Sequence, residues 1–208
     1  MKPSLFPFRL LIIPMLAFCM LPFSCIKDHK VEHFIIDKSA SAMEWKGYLK
    51  DGSGNNGTIK VTGRLFAAEP GMITGGQISF PLSSLININL PTDELKQQLI
   101  HHLQSRDFFD MATYPHIRFD IISMVPDKDI SHTYHVAGEL IMLGKSNPVS
   151  FPVKIKLQGE RLEVTGETGI DRTLWGMNYA SDESAPDGMY VKPGIDVQFK
   201  VVALRKVH

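Results

Sequence analysis

Apolar side chains fall at every second position through most of this chain, and that period decides what it can fold into. Met43, Trp45, Gly47 and Leu49 alternate with Glu44, Lys46 and Tyr48, and Ile59, Val61, Gly63 and Leu65 alternate with Lys60, Thr62 and Arg64. Strict alternation puts one side of a strand in the core and the other in water. The same rhythm marks runs at 33–37, 72–81, 116–124, 132–143, 149–157, 162–170 and 195–201, with turn residues between them. About eight or nine short strands in series predict an antiparallel meander. A meander of that length usually closes into a barrel, which removes its exposed edges. One segment breaks the period: after Pro91, Thr92 is a helix N-cap ahead of Asp93 and Glu94, and Leu95, Leu99 and Leu103 follow on one face. The expected fold is therefore all-β, a lipocalin-like barrel of about eight strands with one short capping helix. Pro148 and Pro152 share one run, so that strand is expected to carry a bulge or a partly unpaired stretch.

The first 24 residues read as an export signal, with Lys2 and Arg9 ahead of the apolar run Leu10 to Phe23. That run is shorter than the roughly 20 apolar residues that span a bilayer. It ends at Leu21-Pro22-Phe23-Ser24-Cys25, where a small residue precedes a cysteine in the manner of a lipoprotein cleavage site. Cys25 is then the acylated first residue and membrane anchor, residues 25–32 are a tether, and 33–208 form one domain. Pro22 departs from the Leu usual three places before such a cysteine, and ordinary signal cleavage is the alternative. The expected location is a bacterial cell envelope, as a periplasm-facing lipoprotein or else a soluble periplasmic or surface-exposed protein.

Cleavage before Cys25 leaves 184 of the 208 residues, enough for a single packed core. Cys19 lies inside the signal, so the processed chain keeps one cysteine and cannot form an internal disulfide. Loss of Lys2 and Arg9 from 22 basic residues, against 22 acidic ones, gives a formal charge of −2 with no basic block. Nucleic acid is not an expected partner. A homodimer is left open.

Several motifs invite chemistry. Gly52 to Gly57, "GSGNNG", matches a dinucleotide-binding pattern, but strands on both sides make it a hairpin loop. His132 and His135 are expected on opposite faces of a strand, and His101 and His102 diverge on a helix, so neither pair chelates a metal alone. No nucleophile elbow is present. Asp107 and Asp110 are read as capping groups or partners of Arg106, with acid–base catalysis as the lesser reading. The most informative polar residue is Arg172. Counting by twos from Leu162 through Ile170 places it on the core side, where a guanidinium must be paired. Its partner is an internal carboxylate, a ring of carbonyls, or the phosphate or other polar head of a bound lipid.

"HHLQSRDFFDMATYPHIRF", residues 101–119, together with "GIDRTLWGMNY", resembles the YceI-like, polyisoprenoid-binding family. The match runs through His102, Leu103, Ser105, Asp107, Phe108, Phe109, Asp110, Tyr114, Pro115 and Phe119, and through Asp171-Arg172-Thr173 and Trp175-Gly176. Trp45-x-Gly47, Gly57-Thr58-Ile59, Gly138, Gly144-Lys145 and Asn147-Pro148-Val149 are also family-like, and the resemblance spans roughly residues 33–204. Asn55 stands where relatives often carry His, and a long "SDESAPDGMYVKPG" insert precedes the last strand.

The resemblance implies an extracytoplasmic barrel that holds a long isoprenoid, a polyprenyl phosphate or an isoprenoid quinone, as carrier or buffer. It implies no established catalytic chemistry, and the bound lipid is the expected ligand in place of a cofactor; no metal is expected, because no His pair converges. The 101–119 stretch is then a cap over one barrel mouth, with Phe108, Phe109 and Phe119 towards the cavity. The candidate ligand-binding residues are Trp45, Phe108, Phe109, Tyr114, Phe119, Phe151, Arg172 and Trp175. An isoprenoid-modifying enzyme using Asp107 or Asp171 with Arg172, and a structural or stress-related lipoprotein with a filled barrel, are the alternatives. Each methylene buried from water is worth about 0.8 kcal/mol but close to nothing when taken from a bilayer, so selectivity must come from cavity length and a polar head site.

Overall fold

A computed structural model describes residues 31–69, 72–186 and 189–206; the stretch read as an export signal, and Cys25, lie outside them. The strands are β1 (Glu32–Ile36), β2 (Ala42–Leu49), β3 (Gly54–Lys60), β4 (Thr62–Glu69), β5 (Met72–Pro81), β6 (Ile86–Asn87), β7 (His116–Pro126), β8 (Thr133–Met142), β9 (Lys145–Gln158), β10 (Arg161–Asp171) and β11 (Val191–Arg205). The helix α1 (Asp93–Gln104) lies between β6 and β7, and 3-10 turns occupy Leu82–Ser84 and Arg172–Trp175.

These elements close into an eight-stranded antiparallel barrel. β1 and β2 follow one another along β11, with Phe34 opposite Arg205 and Met43 opposite Phe199. β4 and β3 follow one another along β1 and β2. Two bent strands thus fill two places in the ring, and the alternation shows more runs than the barrel has staves because it reads β1 and β2 as two. "GSGNNG" forms the β2–β3 hairpin, with Gly52 at a positive φ of 86°.

Inward positions along the strands build one continuous core. At the end where the chain enters, Phe34, Ala67, Ile73, Leu162 and Ala203 are fully buried and fill the barrel. Burying each of the larger ones, Phe34, Ile73 and Leu162, is worth about 1.5–3 kcal/mol. This end is closed. The opposite end carries the β2–β3 hairpin, α1 and the loop that follows Trp175.

β9 confirms the expected irregularity and gives it a form. Its pairing with β8 runs without a register shift from Lys145 to Lys154, prolines included. Its pairing with β10 covers only Gln158 to Val153, against Arg161 to Gly166. Pro152 and Pro148 therefore lie on an edge that needs no N–H donor. The two strands separate towards the mouth, and the turn Arg172–Trp175 packs beside that separation: Asn147 Nδ2 donates to Leu174 O at 3.3 Å, and Trp175 Nε1 donates to Leu140 O of β8 at 2.8 Å.

Thr92 caps α1, its Oγ1 accepting from Leu95 N at 3.2 Å, with Asp93 and Glu94 in the first turn. No residue of the helix is fully buried. Leu99 and Leu103 turn to the barrel interior, whereas Leu95 is exposed. The helix is tied at its C-terminal end, where Gln104 Nε2 donates to Leu82 O at 2.9 Å. Among the described residues no helix is long and apolar enough to cross a membrane.

Candidate functional site

The upper part of the barrel is hollow. A cavity of about 280 Å³ runs down from the mouth and ends at Leu65, Met124, Val136, Val153, Val164 and Val201, just above the filled end. Its wall is almost wholly apolar, and polar groups gather at the mouth, where Asn55, His102, Thr168, Arg172 and Lys192 meet it.

Glycines keep the space open. Phe199 on β11 is opposite Gly166 on β10, and a Cβ there would lie 2.7 Å from the Phe199 ring. Trp45 on β2 lies over Gly57 on β3 in the same way, 2.7 Å from the position of a Cβ. Phe119 on β7 lies over Gly138 on β8, again at 2.7 Å. Large rings seated over glycine have room against the wall rather than in the axis. Phe119, Phe151 and Phe199 form a chain of rings with centroids 5.6 Å apart at each step, the first pair tilted and the second edge-on.

Six of the eight candidate residues line this cavity: Trp45, Phe108, Phe109, Phe119, Phe151 and Arg172. Two do not. Trp175 is 1% exposed, with its N–H spent on Leu140 O, and it belongs to the wall between β8 and the end of β10. Tyr114 packs outside the cavity, its ring 3.0 Å from where a Cβ on Gly144 would stand. Both were expected near the ligand because they sit in the densest family-like stretches, yet their place in the fold is to join the mouth segments to the β8–β9 turn. The filled-barrel alternative does not describe this interior.

Arg172 follows the strand phase into the interior, 1% exposed, although β10 ends one residue earlier. Its partners form the ring of carbonyls. Nη2 donates to Tyr179 O and Val191 O, both at 2.8 Å, Nη1 to Met177 O, and Nε to Lys192 O at 3.4 Å. Both arms of the 177–192 loop thus converge on one guanidinium, whose planar fork can serve several acceptors at once. Phe108 covers it, 5.6 Å from ring centroid to Cζ. Among the described residues no carboxylate forms an ion pair with Arg172. Burial lowers its pKa below the usual value, while the charge of Asp171 acts the other way.

The remaining polar groups serve local structure. Asp171 caps the turn after β10 by accepting from Thr173 N at 2.9 Å and Thr173 Oγ1 at 2.7 Å. Asp107 pairs with His102 Nε2 at 3.1 Å, in place of the expected Arg106, and both side chains are partly exposed. His102 stands edge-on to Phe108 and Tyr179, with centroids 5.1 and 4.8 Å apart, and so links α1 to the 177–192 loop across the mouth. Asp110 takes a positive φ of 42° in the turn that leads to Tyr114. Among the described residues no three His, Cys, Asp or Glu side chains gather in a metal-binding group. Sequence reasoning missed Met43, Ile78, Val149 and Phe199 as cavity-lining residues. Their alternation marked them as core, and nothing in a period of two distinguishes a filled core from the wall of a hollow one.

A closed antiparallel barrel with a deep apolar cavity and a polar mouth defines the class. The YceI-like domain matches residues 34–203, and the chain belongs to that family. Similar solved structures include BcnA of Burkholderia cenocepacia, 17% identical, with a TM-score of 0.64 over 80% of this chain and 98% of that one. A polyisoprenoid-binding domain from Saccharophagus degradans, implicated in plant cell wall breakdown, is 13% identical with a TM-score of 0.60, over 83% and 98% of the two chains. A YceI protein of Campylobacter jejuni is 16% identical with a TM-score of 0.53, over 78% and 85%. No curated protein matches the chain.

Proposed function

We propose that this protein is an extracytoplasmic lipid-binding barrel that holds a polyisoprenoid, either a polyprenyl phosphate or an isoprenoid quinone, as a carrier or buffer in the cell envelope, tethered to membrane through acylated Cys25. The observation that carries the reading is the cavity: deep, apolar, closed at one end and lined by side chains from nearly every barrel strand. A chain-like apolar ligand fits a blind tube. The polyisoprenoid-binding domain among the similar structures supports the same ligand class. Arg172 adds a positive charge without a carboxylate partner among the described residues, which favours an anionic or electron-rich head at the mouth.

Binding without chemistry is the reading the polar groups favour. Four carbonyls occupy Arg172, Thr173 occupies Asp171, and the pair of His102 with Asp107 sits at the rim of the mouth, partly in solvent, so among the described residues no acid–base pair stands deep in the lumen. The test is mass spectrometry of an organic extract of the protein purified from its own membranes. A near-stoichiometric isoprenoid is expected; diacyl phospholipid in its place would refute the ligand class. Turnover of the bound isoprenoid by the wild type and not by Asp107→Asn would establish the enzyme instead.

A further inference from the structure

We infer that the closed end of the barrel, not its mouth, faces the membrane that holds the protein. This rests on the reading of Cys25 as the lipidated residue and is independent of which lipid fills the cavity. The described chain enters at the closed end, where Glu32 is opposite Ala67 and Phe34 is opposite Arg205. The mouth is at the other end of the same strands, where Val191 is opposite Leu49. β11 runs the whole distance in 15 residues. At about 3.3 Å per residue and a tilt near 40°, that is about 35 Å. From Cys25 to Val31 the chain reaches at most about 20 Å. The tether brings the closed end to the bilayer and leaves the mouth beyond its reach, unless the barrel lies on its side.

Two features of the surface favour the upright arrangement. First, exposed apolar side chains cluster around the tether's exit and on the turns beside it: Val31, the cross-strand pair Ile35 and Leu204, Met72, Val125 and Ile130. The outer faces of the staves between the two ends are charged instead, as with Glu44, Lys46, Lys154, Glu163 and Lys200. A barrel on its side would press these against lipid. Second, acids outnumber bases on the segments that frame the mouth, where Asp51, Asp93, Glu94, Asp182 and Glu183 are exposed, whereas the closed end is near balance. The mouth also exposes apolar side chains, Ile86, Ile88, Leu95, Leu174, Tyr179 and Met189, but they stand among those acids, which a bilayer containing anionic lipid repels. Standing on its closed end, the barrel opens into the aqueous space. Its cargo is then exchanged with something other than the leaflet that anchors it.

The test uses the full-length lipidated protein, reconstituted into vesicles of phosphatidylethanolamine and phosphatidylglycerol. Ile130→Cys or Leu174→Cys is spin-labelled, and each label is probed with membrane-soluble oxygen and with a water-soluble nickel chelate. The inference expects an oxygen-to-nickel collision ratio several-fold higher at Ile130 than at Leu174, with Val125→Cys behaving like Ile130→Cys. Equal ratios, or a higher one at Leu174, overturn the orientation while leaving the anchor intact. Attachment is read separately by vesicle flotation, which Cys25→Ala should abolish. Wild-type protein that does not float overturns the inference at its premise, and the lipid found in an organic extract bears on neither result.

Discussion

The two halves of this barrel are made from the same staves and differ in what those staves point inward. Below the level of Val164 and Val201, inward positions hold Leu162, Ala203, Phe34 and Ile73, which meet and exclude solvent. Above it, Gly166 and Gly57 are opposite Phe199 and Trp45. A glycine across from a ring leaves the ring a place on the wall; an aliphatic side chain there would send it into the axis. The alternation is identical in both halves, and whether the interior is filled or hollow is decided by which residue faces which across the hydrogen-bonded pairs.

Truncation should separate the halves most sharply. Phe34→Ala, in the filled end, should lower stability by about 3–5 kcal/mol. Phe151→Ala borders a space that already exists, so the cavity it adds deprives fewer neighbours of contact, and the loss should be clearly smaller. Urea unfolding of ligand-free protein measures both. Equal losses would mean that the upper half is as tightly packed as the lower.

The mouth has its own framework, and Arg172 is its centre. Arg172→Ala leaves carbonyls of Met177, Tyr179, Val191 and Lys192 without their donor. At about 1–3 kcal/mol for a buried group so stranded, relieved where water reaches, the expected loss is about 3 kcal/mol. It should appear with or without lipid. Arg172→Lys should not restore it, because one ammonium lacks the planar fork that spans both arms of the loop. Full stability in the lysine variant would assign Arg172 to charge alone.

Much of this was legible in advance, and the reasons differ by residue. The period of two placed nearly all the strands, and the Thr92 cap with its two acids placed α1. The strand count was blurred because β1 and β2 are pieces of one bent stave and read as two runs, whereas the run Ile59 to Leu65 passes unbroken through the bend between β3 and β4. Arg172 was legible as buried from strand phase, but its partners were not: four main-chain carbonyls contributed by a loop carry no side-chain signature. Tyr114 and Trp175 mislead for a related reason. They stand beside residues that do line the cavity, and neighbours in sequence at a turn face different ways. Leu95 shares a helical face with Leu99 and Leu103 yet is exposed, because α1 is held to the barrel towards its C-terminal end.

Filling a glycine recess should turn the upper half into a copy of the lower. Gly166→Val places new atoms where the Phe199 ring now lies, with Val153 Cγ1 and Pro152 O also close, at 3.2 and 3.0 Å from the Cβ position. Overpacking of this kind costs about 1–3 kcal/mol. The ring should swing inward, and the lipid recovered in an organic extract should fall by more than the stability loss explains. Unchanged lipid content in a folded Gly166→Val variant would mean that the ligand does not pass the level of Phe199.

The smallest expected effect compares the turns at the two ends. Asp51 in the mouth hairpin and Asp182 in the mouth loop are held below their ordinary value of 3.8 chiefly by hydrogen bonds from Ser53 and Ser184. Asp127 at the closed end is held down first by the N–H of Asp129, then by His135, whose Nε2 lies 2.9 Å from its carboxylate, and by the N–H of Ile130. A carboxylate whose folded pKa is depressed contributes stability that is present above its unfolded pKa. That contribution is lost as pH falls through the folded value. All three should therefore weaken the fold only below about pH 4, and by small amounts, because Asp51 and Asp182 are exposed to solvent and Asp127 lies half-buried in a surface turn. Asp127 differs in having an ionisable partner. With His135→Gln its carboxylate should titrate at a higher pH than in the wild type, while Asp51 and Asp182 stay where they are. Carbon-detected NMR titration of the three carboxyl groups reads this directly, and an Asp127 titration that ignores His135→Gln would leave the two backbone N–H groups as its sole cause.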